Sequence, residues 1–179
     1  MEGKLVRIRA YERSDLESIM LWINDREVTR NLEAQLIFPL SRIAEEKYLE
    51  ETASAATYRW AIETLQGEYL GGISLVRVDW INRSAQVGIT IGVKQHWGKG
   101  YGTDAMRVLL RLAFEDMNLH RVWLNVYDFN LRGIKSYEKC GFRREGVQRE
   151  ARFIDGHYCD SVMMGILEAD YRAAVLTWR

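Results

Sequence analysis

Proline is nearly absent: Pro39 is the single one in 179 residues. No Ser/Gly-rich stretch accompanies it, which argues against long linkers and low-complexity disorder. Cysteine is scarce as well. Cys140 and Cys159 are the two, without metal-ligand spacing, so neither a disulfide-stapled secreted scaffold nor a metal site is expected, and both read as reduced, half-buried thiols. Net charge is missing. The 25 Lys and Arg balance 25 Asp and Glu, leaving no electrostatic footprint for nucleic acid or an anionic membrane. No apolar run approaches the roughly 20 residues of a membrane span, and the amino-terminal MEGKLVRIRAYERSD has no apolar signal core. What remains is ordinary globular composition, 47% hydrophobic and 28% charged. It reads as a single cytoplasmic domain over residues 1–179.

Periodicity predicts a strand over Leu5–Ala10 and a helix behind Ser14, with Glu17 completing a capping box and Leu16, Ile19, Met20 and Ile23 inward. A second helix opens at Pro39 and Ser41, with Ile43, Tyr48 and Leu49 inward. Strands over Tyr58–Leu65, Tyr69–Val78 and Ala85–Val93 form an antiparallel meander. Then come a helix over Thr103–Met117, a strand over Arg121–Tyr127 and a short helix over Arg132–Lys139 stopped by Gly141. Two strands between Phe142 and Ile166 turn at Asp155-Gly156. The fold class is α+β, antiparallel at first, with one βαβ crossing.

The chemistry concentrates in that crossing. The β-branched run Ile89, Thr90, Ile91, Val93 leads into Gly98, Gly100 and Gly102, and a helix opens near Thr103. Glycine lets backbone approach a phosphate, and the first helical turn offers unpaired N–H groups and a positive dipole end. The bound group is therefore a phosphorylated cofactor. Gly100 to Ala105 also fits the dinucleotide pattern G-x-G-x-x-A, with Asp128 ending the next strand. A dinucleotide fold would continue in alternating β and α units; here one unit is followed by a hairpin. The ATP-binding loop G-x-x-x-x-G-K-[ST] is absent.

The segment Asn130-Leu131-Arg132-Gly133-Ile134-Lys135-Ser136-Tyr137-Glu138-Lys139-Cys140-Gly141-Phe142 resembles the GNAT superfamily of N-acetyltransferases, in particular its RimJ/RimL-like branch. That family has an Asn after its fifth strand and a short helix ending in Tyr-x-x-x-Gly-Phe, matched by Tyr137, Gly141 and Phe142. Its acetyl-CoA loop, Q/R-x-x-G-x-G/A, is matched at Gly100 and Gly102; Trp97 departs at the first position and removes one polar contact to the pyrophosphate. Arg152, Asp155-Gly156, Asp160 and Met164 continue the likeness. The resemblance implies a mixed, mostly antiparallel sheet of about seven strands flanked by about four helices, splayed between strands 4 and 5. It implies a homodimer, with acetyl-CoA as cosubstrate and an amine as acceptor.

For the cofactor, the resemblance implies backbone N–H groups from Gly98, Lys99, Gly100, Tyr101, Gly102 and Thr103 on the pyrophosphate, and pantetheine paired with the fourth strand near Ile91 and Val93. Gly92 is a candidate bulge there. Asn130 either bonds pantetheine or caps the short helix. Tyr137 is the candidate acid, since a phenol stays protonated at neutral pH and can protonate the departing thiolate. Ser136 faces another side and reads as a solvent-facing residue. The base is the gap. Many relatives carry Glu where this chain has Gln86, and an amide takes no proton. Glu33, Glu63 and Asp79 are acids without a placement, and His96, His120 and His157 read as surface histidines.

The missing base bears on the acceptor. An α-amine of pKa about 7.8 costs roughly 1 kcal/mol to deprotonate at pH 7, against roughly 4.6 for a lysine-like amine. The expected acceptor is accordingly a peptide N-terminus, of ribosomal-protein type, or a small amine. A polyamine or an amino sugar is the alternative, and clustering of Glu33, Glu45, Glu46, Glu50 and Glu51 would support the polyamine. A non-catalytic acyl-CoA-binding module is the alternative of another class. Acceptor contacts are expected from residues Asn24 to Ser41 and from the Asp155-Gly156 hairpin.

Overall fold

The computed structural model describes residues 1–32, 39–50, 53–54 and 56–178. Its sheet holds seven main strands: β1 (Val6–Arg9), β2 (Thr57–Thr64), β3 (Tyr69–Asp79), β4 (Ser84–Ile91), β5 (Arg121–Tyr127), β6 (Arg143–Ile154) and β7 (His157–Leu167). Their spatial order is β1-β2-β3-β4-β5-β7-β6, and a two-residue strand, Ala53–Ser54, pairs with β2. All neighbours are antiparallel except β4 and β5, which run parallel. The described helices are α1 (Asp15–Trp22), α2 (Arg26–Thr29), α3 (Arg42–Glu50), α4 (Tyr101–Arg111), α5 (Leu131–Cys140) and α6 (Glu168–Val175). The expected mixed sheet is borne out. The short α2 and the terminal α6 exceed the four helices expected; a single turn such as α2 carries no readable period.

Strand alternation sorts the sheet into two faces. Ile73, Leu75, Val87, Val122, Leu124, Val126, Val162, Met164 and Ile166 are buried in one core. Into it α4 inserts Ala105, Val108 and Leu109, the i, i+3, i+4 stripe of an amphipathic helix. Leu109 is fully buried, so truncating it to Ala costs about 2–5 kcal/mol. A second core joins Ala61 and Tyr69 to Ile19 and Trp22 of α1, Ile23 just after it, and Val28 of α2.

The parallel pair is where the sheet opens. β4 and β5 are in register only from Ser84↔Arg121 to Gln86↔Trp123, while β4 runs on to Ile91. The expected splay is therefore present. Past its end, the N–H groups of Gly92 and Val93 both converge on the Leu70 carbonyl, at 2.8 and 3.4 Å, the two-against-one pattern of a bulge. Gly92 must be small there, because a Cβ would lie 2.2 Å from the Trp22 ring.

Three local expectations fail. Ser14 precedes α1 but is itself helical and makes no side-chain cap; Asp15 takes over, accepting from the Glu12 N–H at 2.8 Å while Arg9 grips it at 2.7 and 2.8 Å. On α3, capped as expected by Ser41 (3.2 Å to the Ala44 N–H), Ile43 and Tyr48 face outward and Glu45 is the buried residue. The helix phase is set by tertiary contacts, among them Arg59 stacked 4.4 Å from the Tyr48 ring. Cys140 and Cys159 are fully rather than half buried. Among the described residues no helix is long and apolar enough to cross a membrane.

Candidate active site

The splay leads into a cleft of about 460 Å³ between the loop before α4 and the first turns of α5. Gly98 and Gly100 adopt φ of +74° and +93°, a left-handed backbone that favours glycine. Gly102 is different. Its backbone is helical, and a Cβ would meet nothing closer than Ile91 Cγ1 at 3.6 Å, an ordinary contact. Neither conformation nor packing within the chain requires glycine at 102, and the position faces the open cleft. No side chain caps α4, so the first-turn N–H groups of Tyr101, Gly102 and Thr103 lie at the cleft wall without a capping partner. A cradle a Cβ would fill, set at a positive dipole end, fits a diphosphate.

The opposite wall is α5. Asn130 caps it, its side chain accepting from the Gly133 N–H at 3.0 Å, and it also lines the cleft. Gly141 ends it at φ +102° with its N–H on Glu138, and the Phe142 N–H reaches the Tyr137 carbonyl at 3.1 Å. Tyr137 is thereby fixed. Its half-buried ring lines the cleft and lies 5.9 Å from the Phe142 ring. Burial, with a smaller push from Cys140, raises its phenol to about 12. Ser136 is not solvent-facing: its hydroxyl shares a 2.7 Å hydrogen bond with Thr103, tying α5 to α4.

Not every expected residue is brought together. Ile91, Gly98, Gly100, Tyr101, Gly102, Thr103, Asn130 and Tyr137 line the cleft; Lys99 and Val93 are not among its lining residues. The Val93 backbone is engaged on both sides, by Leu70 and by the His96 N–H at 3.0 Å. The Ile91 carbonyl accepts from the Trp97 indole at 2.6 Å. Trp97 is thus a brace between strand and loop. Over its ring lies the Arg132 guanidinium, 3.8 Å from the centroid.

No Asp or Glu lines the cleft among the described residues, whereas Arg132, Lys135 and Lys139 do. Gln86 is buried on β4 outside the lining set. Glu63 is occupied at the far sheet edge by Arg7 (2.7 Å) and Arg9 (2.5 Å). Asp79 closes the β3–β4 turn on Asn82. Of the acids named for a polyamine cleft, Glu33 and Glu51 lie outside the described residues, Glu45 is buried under α3, and Glu46 and Glu50 are exposed on it. His96 is no surface histidine: it lines the cleft, with Nε2 3.1 Å from Glu68. Sequence reasoning missed Arg132, Ser136 and His96, since no motif spacing marks a contact made between two helices and a loop.

Comparison with known proteins follows the same outline. Residues 6–143 match the family model described as an acetyltransferase (GNAT) domain. The chain is 32% identical, over 92% of its length and 94% of the relative's, to the spermidine N(1)-acetyltransferase of Vibrio cholerae. It is 28% identical, over 79% of its length and 76% of the relative's, to the aminoglycoside N(6')-acetyltransferase type 1 of Klebsiella pneumoniae. The crystal structure of the Vibrio cholerae spermidine N-acetyltransferase in complex with CoA and spermine superposes with a TM-score of 0.84 at 32% identity, covering 93% of this chain and 98% of that one.

Proposed function

Because the chain belongs to the GNAT acetyltransferase family, we propose that this N-acetyltransferase takes acetyl-CoA in the splayed cleft and acetylates a polyamine. The likeness to a spermidine N(1)-acetyltransferase over nearly the whole of both chains carries the acceptor class. It displaces the peptide N-terminus as the first reading. Support for the cosubstrate is the geometry of the cleft: a glycine at 102 that the chain's own packing does not require, an uncapped helix end, a cationic lining and no carboxylate among the described lining residues.

The roles follow from position. The backbone from Gly98 to Thr103 holds the diphosphate, and the β4 edge left open beyond Gln86 runs beside pantetheine. Bound acetyl-CoA supplies a thioester from which the acetyl group passes to nitrogen. Tyr137 holds the proton that goes to the departing sulfur. Asn130 fixes the start of α5 and so the direction of the Tyr137 ring. The reading extends to membership of the RimJ/RimL-like branch, a single domain, a cytoplasmic setting and a homodimer; light scattering at micromolar concentration checks the dimer.

One observation favours a second reading. With Gln86 in place of Glu and no carboxylate in the described lining, the amine must arrive neutral, which is easier for an α-amine than for a polyamine by about 3.5 kcal/mol at pH 7. A thiol-release assay with spermidine, spermine, a peptide α-amine and an aminoglycoside separates them. Spermidine or spermine is expected to give the highest kcat/KM; a peptide α-amine in that place overturns the polyamine. In either case the rate climbs with pH toward the acceptor's own pKa, with no plateau set by an enzyme carboxylate.

A further inference from the structure

We infer that Arg132 is a phosphate-binding residue of the cosubstrate site, a guanidinium delivered from the first turn of α5 and held over the ring of Trp97 in the cleft wall. The inference rests on the acetyl-CoA reading and goes beyond it. It makes the Trp97–Arg132 pair the replacement for the polar loop side chain that Trp97 displaces.

Several observations converge on it. Trp97 is not free to turn, since its indole N–H is spent on the Ile91 carbonyl at 2.6 Å. Arg132 lies 3.8 Å from its centroid, within cation–π distance, a contact that spends none of its N–H donors on a hydrogen bond. All its N–H donors stay in the plane, where they match a phosphate two at a time. Among the described residues those donors have no hydrogen-bond partner. Arg7, Arg9, Arg26, Arg30, Arg121 and Arg143 each pair with a carboxylate, while Arg132 forms no ion pair with a described residue. The acid whose charge reaches it, Glu27, is held by Lys94 at 2.8 Å.

The surroundings suit an anion. Lys135 and Lys139 of the same helix line the cleft beside it, and no described carboxylate does. Desolvation holds the guanidinium below its ordinary pKa without discharging it, so its charge is available to a phosphate. CoA offers two such groups, the diphosphate and the ribose phosphate.

The test is calorimetric binding of CoA, dephospho-CoA and pantetheine to wild type, Arg132→Met, Arg132→Lys, Trp97→Leu and the double variant, with thermal melts to confirm folding. Arg132→Met is expected to weaken CoA by about 10- to 100-fold, the range of a lost charge-assisted hydrogen bond. Arg132→Lys recovers only part of that, because an ammonium lacks the planar fork. Trp97→Leu costs nearly as much, and the double variant little more than Arg132→Met alone. A defect that persists with dephospho-CoA assigns Arg132 to the diphosphate; one that vanishes assigns it to the ribose phosphate; either supports the inference. Pantetheine must bind Arg132→Met and Arg132→Lys as it binds wild type. Wild-type CoA affinity in Arg132→Met, or an equal loss for pantetheine, overturns the role of Arg132. Wild-type protein that binds no CoA overturns the acetyl-CoA reading together with it.

Discussion

The two walls of the cleft are held by different kinds of contact. The cosubstrate wall is local: Gly98 and Gly100 turn the loop, α4 follows at once, and Asn130 and Gly141 begin and end α5 within a short stretch of chain. The wall proposed for the acceptor is assembled from distant parts. Asp155 at the β6–β7 tip pairs with Arg26 at 2.7 Å and Arg30 at 3.3 Å, both on or beside α2. Arg30 also stacks 5.1 Å from Phe129, and the Tyr127 hydroxyl donates to the Leu32 carbonyl at 3.3 Å. Caps and glycines fix a backbone whatever surrounds it. Exposed ion pairs are individually weak and screened. The difference teaches that one wall is fixed by backbone conformation and the other by exposed ion pairs that a substitution can loosen one at a time.

Three variants would break or sharpen that contrast. The largest effect is expected from Gly102→Val. Its helical backbone tolerates valine and Ile91 leaves room, so folding should survive while the side chain fills the phosphate cradle; CoA affinity by calorimetry should fall by about 100-fold or more, the loss of several hydrogen bonds to a charged group. Gly100→Val is the poorer probe, since φ of +93° penalises any side chain there. Unchanged CoA affinity in Gly102→Val would sink the assignment of this wall.

Next comes Tyr137→Phe, which keeps the ring against Phe142 and removes only the hydroxyl. Turnover should drop by at least about tenfold, at the low end for a lost general acid because water can substitute, with acetyl-CoA affinity nearly unchanged. The pH dependence follows from the raised phenol. A group held up to about 12 stays protonated through neutral pH and loses its proton only as pH rises toward that value. The wild-type rate should therefore fall on the far alkaline side, and the variant should lack that fall. Wild-type turnover in Tyr137→Phe would make the hydroxyl structural.

The smallest effect is expected from Asp155→Asn. The flanking arginines, Arg26 foremost, hold the Asp155 carboxyl below the usual carboxylate range, so the pair is complete at neutral pH and breaks only as pH falls through that lowered value. Loosening it should raise KM for the amine a few-fold and leave KM for acetyl-CoA alone. Equal changes in both constants would show that the two walls are not independent.

Legibility in the sequence tracks the same divide. Gly141 as a helix stop and Asp155-Gly156 as a hairpin turn, with φ of +52° and +86°, were readable because each is a conformational demand of one or two residues. Ser14 misled because a capping serine competes with whatever else can hold the helix start, and Asp15 gripped by Arg9 won. The phase of α3 was unreadable for a like reason, since Arg59 on Tyr48 outweighs a weak apolar stripe. Ser136, expected to face solvent, bonds Thr103 instead, and Arg132 had no expected role: which side of α5 meets Thr103 and Trp97 depends on how two helices and a loop pack together.

By itself the sequence determined the strand–glycine–helix junction, the mixed sheet and the tyrosine at the end of a short helix, because backbone conformation and strand alternation are local consequences of side-chain size and branching. Only the tertiary structure decided which charges meet. It opened β4 from β5 after Gln86, paired Thr103 with Ser136, laid Arg132 on Trp97 and joined Asp155 to α2. Those contacts link parts of the chain that no local rule relates, and they exist only once the packed cores fix where each helix lies.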